Sequence, residues 1–203
     1  ANTVLDVDGT AVDQTANTAT FAGFTPPPPV GALVITEIMH NPSAVGDSSG
    51  EWFEVHNPGT TPVDMNGWVI SDLGTDSHTI ASSVVVPAGG YVILGRNNDT
   101  TTNGGVTVAY QYSGVNLSNS SDELQLKDAS GNVVDLVDWS GWTSLPGTAN
   151  GKSMVLKTIT SDNNLELNWC AATTAWTGSA GDNGTPMALR EDDLEVDYVI
   201  MDE

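Results

Sequence analysis

Two glutamates and a histidine lie close together in the segment EWFEVHN, at Glu51, Glu54 and His56. Two carboxyl groups can act as general acid and base when both reach one substrate atom, and carboxylate and imidazole groups also bind metal ions. A β-strand offers a different explanation, because its alternate side chains point to opposite faces. The element that carries these residues therefore decides whether the segment indicates an enzyme.

The segment has the alternation of a strand. Phe53 and Val55 then share a core face, and Glu54 and His56 share the opposite face, which we predict to point outward. Glu51 has the parity of the core face but lies at the start of the strand, where it can reach solvent. The two carboxyl groups diverge under this interpretation, which indicates a strand face and not an acid–base pair.

The rest of the chain consists of short apolar runs separated by Gly, Pro, Asn and Asp. We interpret these runs as strands because they are rich in β-branched and aromatic residues: ALVITEIM, EWFEVHN, GWVISD, SVVVPAGGYVILG, VTVAYQY, DELQLKD, NVVDLVDW and KSMVLK. The segment DASGNVVD predicts a tight hairpin in which Gly131 takes positive φ. No stretch has a convincing helical period, so we predict an all-β chain that forms a sandwich or barrel.

The predicted core comes from the apolar faces of these strands and from tryptophans. We expect it to include Phe53, Val55, Trp68, Leu124, Leu126 and Trp139, with Val134 and Leu136 or Val137 filling the space between two sheets. Tryptophans in a sandwich are more typical of core and rim than of a ligand platform.

Composition restricts the function. The chain has 203 residues, of which 26 are acidic and 5 basic, for a formal net charge of −21. Such a surface repels phosphate backbones and anionic lipid, so unaided nucleic-acid binding is not expected. No apolar run approaches the ~20 residues that span a bilayer, and no membrane insertion is expected.

An extracellular or cell-surface location fits the abundance of Asn, Thr, Ser and Gly and the scarcity of Lys. The sequence starts at Ala1, which suits a secreted protein cut by signal peptidase, although an arbitrary boundary would look the same.

A family resemblance runs through the same segments. The run LVITEIMHNPSAVGDSSGEWFEVHNPGTTPVDMNGWVISD resembles the start of a lamin tail domain, and the likeness continues through VVPAGGYVILGRN, VNLSNSSDELQLKDASGNVVDLVDW and GKSMVLK to WTGSAGDNGTPMAL. It implies an immunoglobulin-like β-sandwich at residues 32–188, of the type found in nuclear lamins and in many secreted prokaryotic proteins. It also implies a non-catalytic module, often attached to secreted hydrolases, and carries over no catalytic residues.

Both ends of the chain lie outside the resemblance. Residues 1–25 are expected to form an extended N-terminal segment, residues 26–31 a stiff polyproline spacer, and residues 189–203 an acidic C-terminal strand or tail. Leu194, Val196, Tyr198 and Ile200 alternate with other residues, as in a strand with one apolar face. Val4, Leu5 and Val7 are more apolar than a solvated tail requires. These terminal strands either fold back on their own domain or add to the sheet edge of a neighbouring copy.

Calcium is the cofactor that the composition suggests, since acidic loops supply oxygen ligands. The segment DVDG resembles the opening of a calcium loop, but it lacks a third acidic residue at Thr10 and the closing Glu, which excludes an EF-hand. Each acidic loop taken alone is better explained by an Asx-type turn than by a calcium site. The candidate ligands are Asp6, Asp8, Asp72, Asp76, Asp99, Asp122, Glu123 and Asp182.

The sequence assigns no catalytic residue. His40, His56 and His78 lie on separate segments without zinc-binding spacing, and we interpret them as structural or exposed. Cys170 is interpreted as a small buried hydrophobe. GxSxG, Cys–His and P-loop patterns are absent from the sequence, so we expect a protein that is not an enzyme.

Two functions remain open. The first is a secreted structural protein that assembles with copies of itself into a filament or tube by exchange of terminal strands, with calcium as a stabilising ion. The alternative is an accessory binding module of a larger secreted hydrolase, of the nuclease or phosphatase type, which binds carbohydrate, protein or a cell surface.

Overall fold

The computed structural model describes residues 33–147 and 150–187. The chain is nearly all β in these ranges, which confirms the predicted fold class. The extended N-terminal segment, the polyproline spacer and the C-terminal strand lie outside the described residues, and so do Val4, Leu5, Val7, Leu194, Val196, Tyr198 and Ile200.

Twelve strands are described. They are β1 (Val34–Met39), β2 (Trp52–His56), β3 (Val63–Asp64), β4 (Val69–Ser71), β5 (Ser77–Thr79), β6 (Val85–Val86), β7 (Tyr91–Gly95), β8 (Tyr110–Gln111), β9 (Glu123–Lys127), β10 (Val133–Asp138), β11 (Met154–Leu156) and β12 (Trp169–Ala171). The helices of these ranges are short, namely α1 (Asp47–Gly50) and a 3₁₀ helix at Glu166–Asn168. The sequence did not predict β3, β5 or β12, because strands of two or three residues are too short to show an alternating pattern.

The strands form two main sheets and a small one. The six-stranded sheet has the order β12-β11-β1-β2-β7-β8, and the four-stranded sheet has the order β10-β9-β4-β5. Strands β3 and β6 form a separate pair. Neighbours are antiparallel except β7 and β8, which run parallel. The β9–β10 connection is the predicted hairpin, in which Gly131 has a φ of 86° and its amide donates to the carbonyl of Asp128.

The main core lies between the two large sheets. Phe53, Val55, Leu124, Leu126 and Trp139 are buried there as predicted, and Trp68 packs against them half-buried. On β10 the buried apolar residue is Val137, whereas Val134 and Leu136 are half-buried. A register shift between Val133 and Asp135 changes the parity of this strand, which its sequence alone does not reveal.

Hydrogen bonds join β10, an edge strand of the four-stranded sheet, to β1, an inner strand of the six-stranded sheet. Asp135 Oδ2 accepts from the Ile35 amide at 2.6 Å and from Asn163 Nδ2 at 2.7 Å. Asn163 Nδ2 also donates to the Ile35 carbonyl at 3.1 Å. Burial raises the pKa of Asp135 to about 6, although these hydrogen bonds oppose the rise. A buried carboxyl group and a buried amide therefore join the two sheets where no strand pairs.

At the opposite edge of the four-stranded sheet, His78 of β5 contacts Tyr110 of β8. Tyr110 Oη accepts from the Ala81 amide at 3.0 Å, so its own hydrogen is available to His78 Nε2, also at 3.0 Å. His78 Nδ1 lies 3.1 Å from the Ser113 carbonyl oxygen and 3.3 Å from the Ser113 amide nitrogen. The edge strands on this side thus contact each other through side chains.

A second apolar cluster covers the outer face of the six-stranded sheet. Met39 and Trp52 lie there with Ile93 and Val106, and Trp176 packs on them from the C-terminal part of the chain. The rings of Trp52 and Trp176 meet edge to face with centroids 5.9 Å apart. Strands β1 and β2 are consequently buried on both faces.

Truncating the main core should cost much more than truncating the surface. We expect Phe53→Ala to lower the free energy of unfolding by about 3–5 kcal/mol, because Phe53 is fully buried between the sheets. Val133→Ala is the control, since Val133 is 54% exposed and its loss should change stability by less than about 0.5 kcal/mol. Urea unfolding followed by tryptophan fluorescence measures both, and equal losses would contradict the assigned core.

Candidate functional site

The glutamates of EWFEVHN are both buried, which corrects the prediction that Glu54 and His56 point outward and that Glu51 reaches solvent. The alternation itself is right, because Phe53 and Val55 face the main core and Glu54 lies on the opposite face. That face is covered by the C-terminal part of the described chain, so its side chains are shielded from water. A single strand's sequence does not show that a distant segment lies over it.

Glu54 lies beside Glu37, its direct cross-strand partner on β1. Both side chains are 1% exposed. They are covered by residues 183–187, which we call the strap. Glu37 Oε1 accepts from the Thr185 amide at 2.8 Å, and Glu54 Oε2 accepts from the Met187 amide. Two carboxyl groups enclosed in this way are out of reach of a substrate.

Glu51 has different partners. Its Oε2 accepts from Arg96 Nη1 and from the Leu117 amide, each at 3.1 Å. Burial raises the pKa of Glu51 to about 7, while Leu117 and Arg96 oppose the rise. Glu51 and Glu54 therefore do not converge on a common atom, and the arrangement does not supply an acid–base pair.

The histidines are held in the structure in three different ways. His40 is fully buried, and its ring stacks on Trp139 with centroids 6.3 Å apart. His56 stacks on Tyr91 at 4.2 Å, and its Nδ1 lies 3.1 Å from the Gly90 carbonyl. Burial lowers the pKa of both rings, which favours their neutral form. His78 belongs to the contact between β5 and β8.

Three of the calcium candidates, Asp72, Asp76 and Asp122, line one cleft of about 640 Å³. Asp47, Glu51 and Arg96 line the same cleft. Burial raises the pKa of Asp122, and the charges of Asp72 and Asp76 add to the rise. Glu123 lies next to the cleft, and its pKa is raised by burial and by nearby Asp138 and Asp122. The cleft is therefore a site of carboxylate repulsion.

The remaining calcium candidates are scattered. Asp99 is in an exposed loop, where it accepts hydrogen bonds from Thr101 and Thr102. Asp182 is 2% exposed and accepts from the amides of Ser43 and Ala44. Asp6 and Asp8 lie outside the described residues. Within 33–147 and 150–187, no group of three or more His, Cys, Asp or Glu side chains is placed to hold a metal ion, and calcium binding stays a prediction.

β12 is an edge strand of the six-stranded sheet. The Ala172 amide donates to the Ser153 carbonyl, and the Lys157 amide donates to the Asn168 carbonyl. Because hydrogen-bonding direction alternates along an antiparallel strand, the Ala171 amide points away from β11, while the Trp169 amide donates to the Glu166 carbonyl at the end of the 3₁₀ helix. Cys170, half-buried between Trp169 and Ala171, has its Sγ 3.7 Å from the Val155 carbonyl, so it is less buried than predicted.

The surroundings of β12 combine positive charge with exposed apolar side chains. Lys152 and Lys157 lie at either end of β11, and they are two of only five Lys and Arg residues in the chain. Lys157 Nζ donates to the Leu167 carbonyl at 2.9 Å. Leu165 and Leu167, just before β12, are 44% and 70% exposed. An acidic strand with an apolar face would be complementary to this edge.

Comparison with known families agrees with the fold. The sequence model of the family described as Lamin Tail Domain matches residues 26–141, which is more than half of the chain. The chain belongs to the lamin tail domain family. No curated protein matches the chain. The family has an immunoglobulin-like fold that is generally non-catalytic and serves in binding or structure.

Two further features bear on this lamin tail domain. Strands β11 and β12 follow the matched range, yet β11 pairs with β1 and β12 pairs with β11, so both belong to the six-stranded sheet. Among the described residues, the longest helix has four residues, and none is long and apolar enough to cross a membrane.

Sequence reasoning did not identify Glu37, Arg96, Asp135 or Asn163 as important. Glu37 carried a usable signal, because a charged residue inside the apolar run VITEIM is expected to be buried with partners. Arg96 also carried one, as a rare basic residue directly after a strand. Asp135 and Asn163 are joined across loops, and no local pattern indicates their contact.

Removing Arg96 should destabilise the protein by the free energy needed to keep the Glu51 carboxylate buried without its ion-pair partner. We expect Arg96→Met to lower the free energy of unfolding by about 3–5 kcal/mol at pH 9, because Glu51 is left as a buried carboxylate without a cation beside it. The loss should be smaller at pH 5, where Glu51 can take up a proton. Chemical denaturation at both pH values measures it. The double variant Arg96→Met/Glu51→Gln is the control, and it should recover stability at pH 9. Equal losses at both pH values would contradict this assignment.

Proposed function

We propose that this lamin tail domain is the subunit of an extracellular structural assembly, in which β12 of one copy accepts the C-terminal strand of another. The observation that carries the proposal is the edge strand β12, with the outward amide of Ala171 and its flanking lysines. Backbone groups at a sheet edge bind an added strand along its length, and side chains on alternate positions give specificity.

The C-terminal strand has the matching chemistry. Leu194, Val196, Tyr198 and Ile200 would extend the apolar face that Trp169 presents to the main core. Glu191, Asp192, Asp193, Glu195 and Asp197 would meet Lys152 and Lys157. In a chain with a net charge of −21, such pairing is selective because most other surfaces repel an acidic strand.

The other sheet sides are less suited to accept a strand. Strands β10 and β1 are joined through Asp135 and Asn163, and the Asp138 amide donates to Asn164 Oδ1 at 2.7 Å. Strands β5 and β8 are joined through His78 and Tyr110. The contact at β12 would therefore be heterologous, with a tail on one copy and an edge on the next. Repetition of such a contact gives a filament or tube unless a ring closes.

Chain length allows donation to another copy. The last described residue, Met187, contacts Glu54 on β2. Strand β2 is three strands from β12, a separation of about 14 Å at the usual strand spacing. Residues 188–193 can span about 20 Å when extended, so the tail reaches either its own edge or that of a neighbour. The experiment must therefore separate exchange between copies from fold-back.

Blocking the edge should prevent assembly without unfolding the domain. We expect Ala171→Pro to keep the full chain monomeric, since proline removes an outward amide and is tolerated on edge strands. Deleting residues 190–203 should have the same effect. Sedimentation velocity over a range of concentrations, with circular dichroism for folding, is the measurement. Ala171→Ser, which keeps the amide, is the matched control and should assemble.

Cross-linking tests which copy supplies the strand. Two proteins are mixed. One keeps Cys170, and the other carries Cys170→Ser together with either Asp197→Cys or Val199→Cys. These two positions would lie on the same face of the sheet as Cys170. Oxidation should then give disulfide-linked heterodimers, while copies that all carry Cys170→Ser alone should give none. A full chain that stays monomeric at every concentration would contradict the assembly proposal and favour the accessory-module alternative.

Calcium is proposed as a stabilising counter-ion of this assembly. The described side chains form no ligand group for it, and support comes from the concentration of negative charge in the cleft lined by Asp72, Asp76 and Asp122. We expect millimolar calcium to raise the melting temperature more than sodium chloride of equal ionic strength, because a divalent ion can relieve the repulsion between these carboxylates. Thermal unfolding in calcium, sodium and chelator measures this. Asp72→Asn/Asp76→Asn should remove the difference, whereas Asp99→Asn, in a separate exposed loop, should keep it. Identical melting curves in all three solutions would eliminate calcium.

A further inference from the structure

The buried pair of Glu37 and Glu54 has a hydrogen-bond arrangement that suits one bound proton. Residues directly opposite on antiparallel strands have Cβ atoms about 4.5–5.5 Å apart, so the two carboxyl groups are close neighbours. Each has one oxygen that accepts from the strap backbone: Glu37 Oε1 from Thr185 and Glu54 Oε2 from Met187. Glu37 Oε1 also accepts from Ser153 Oγ at 2.5 Å.

The second oxygen of each carboxyl group meets a hydroxyl group. Glu37 Oε2 lies 3.1 Å from Thr185 Oγ1, and Glu54 Oε1 lies 2.7 Å from Thr36 Oγ1. A hydroxyl group can donate or accept, whereas an amide N–H can only donate. A proton on Glu37 Oε2 or on Glu54 Oε1 therefore leaves every hydrogen bond to the strap in place.

The charges around the pair favour retention of that proton. Burial raises the pKa of Glu37 to about 8, and the charge of Glu54 adds to the rise. Burial also raises the pKa of Glu54 to about 7. Among the described residues, Glu54 is the charged group that acts on Glu37.

The elements packed around the pair bring few other titratable groups to it. On the same face, β7 places Ile93 opposite Glu54, and β11 places Val155 opposite Glu37. His56 and Tyr91 stack on each other at the far end of β2 and β7. Half-buried Lys152 pairs with Asn183 at the start of the strap. Asp182, just before the strap, accepts from the amides of Ser43 and Ala44.

The strap is held in a conformation that costs free energy. Met187 has a φ of 71°, in the left-handed region that residues with a side chain seldom adopt. Gly184 passes so close to the pair that a Cβ there would lie 2.8 Å from Glu37 Oε1. The hydrogen bonds from Thr185 and Met187 to the carboxyl groups offset this cost.

We propose that the strap is a proton-dependent latch, which stays closed while Glu37 and Glu54 together hold at least one proton and opens when both are ionised. Free glutamates release their protons near pH 4.5, so the closed latch binds more protons than the open one between pH 4.5 and about 8. Its stability therefore falls as pH rises through this window, and the released proton passes to solvent. The latch goes beyond the proposed assembly and does not rest on it.

Amide hydrogen exchange at Thr185 and Met187 tests the latch in the full chain. We expect their protection factors, which are corrected for intrinsic exchange, to fall at least tenfold between pH 6 and pH 9 at constant ionic strength. Glu37→Gln should abolish this fall, because a glutamine amide donates to Thr185 Oγ1 and accepts from the Thr185 amide as the protonated acid does. Glu54→Gln should act in the same way through Thr36.

Glu51→Gln is the matched control. Glu51 is equally buried and has a raised pKa, but its partners are Arg96 and Leu117, so the fall at Thr185 and Met187 should remain. Tryptophan fluorescence of the wild-type chain gives a second readout that needs no folded glutamine variant. Opening should expose Trp176 and shift the emission to the red over the same pH range, and Trp176→Phe should reduce that shift. Constant wild-type protection, or an undiminished fall in Glu37→Gln, would overturn the latch.

Discussion

Burial of β1 and β2 on both faces is the constraint on which the rest of this lamin tail domain depends. One face meets the main core, and the other is covered by Trp176 and the strap. A polar side chain on either face must then find its partners inside the protein, because water is excluded. Glu37 and Glu54 do so through backbone amides and hydroxyl groups, and Glu51, just before β2, does so through a backbone amide and one arginine.

The fold was largely predictable from the sequence, because strand length, β-branched residues and turn residues are local signals. Phe53, Val55, Leu124 and Leu126 followed from simple alternation. Alternation also placed Glu54 on the correct face, but the prediction that this face is exposed to solvent was wrong. Whether a strand face is wet depends on what packs over it, and here that segment is 133 residues away along the chain.

The difference between local patterns and contacts of distant segments also explains what could be predicted of the candidate site. Acidic loops were found from composition, and three of their aspartates do meet in one cleft. The edge strand β12 was not found, because three residues that include Trp and Cys have no period. β12 is an edge strand because of the order of strands in the sheet, and that order depends on the pairing of β1 with β11, two distant parts of the chain.

The long reach of Glu37 also determines the order in which this protein can fold. Its hydrogen-bond partners Ser153 and Thr185 are 116 and 148 residues downstream. Strand β2 can pair with β1, and β7 with β2, while the later chain is still absent, as on a ribosome, but Glu37 must then remain hydrated. Contacts of such large sequence separation form slowly because a long loop must close first. In a nascent chain, the outer face of the β1–β2 pair therefore stays hydrated until nearly the whole domain has been made.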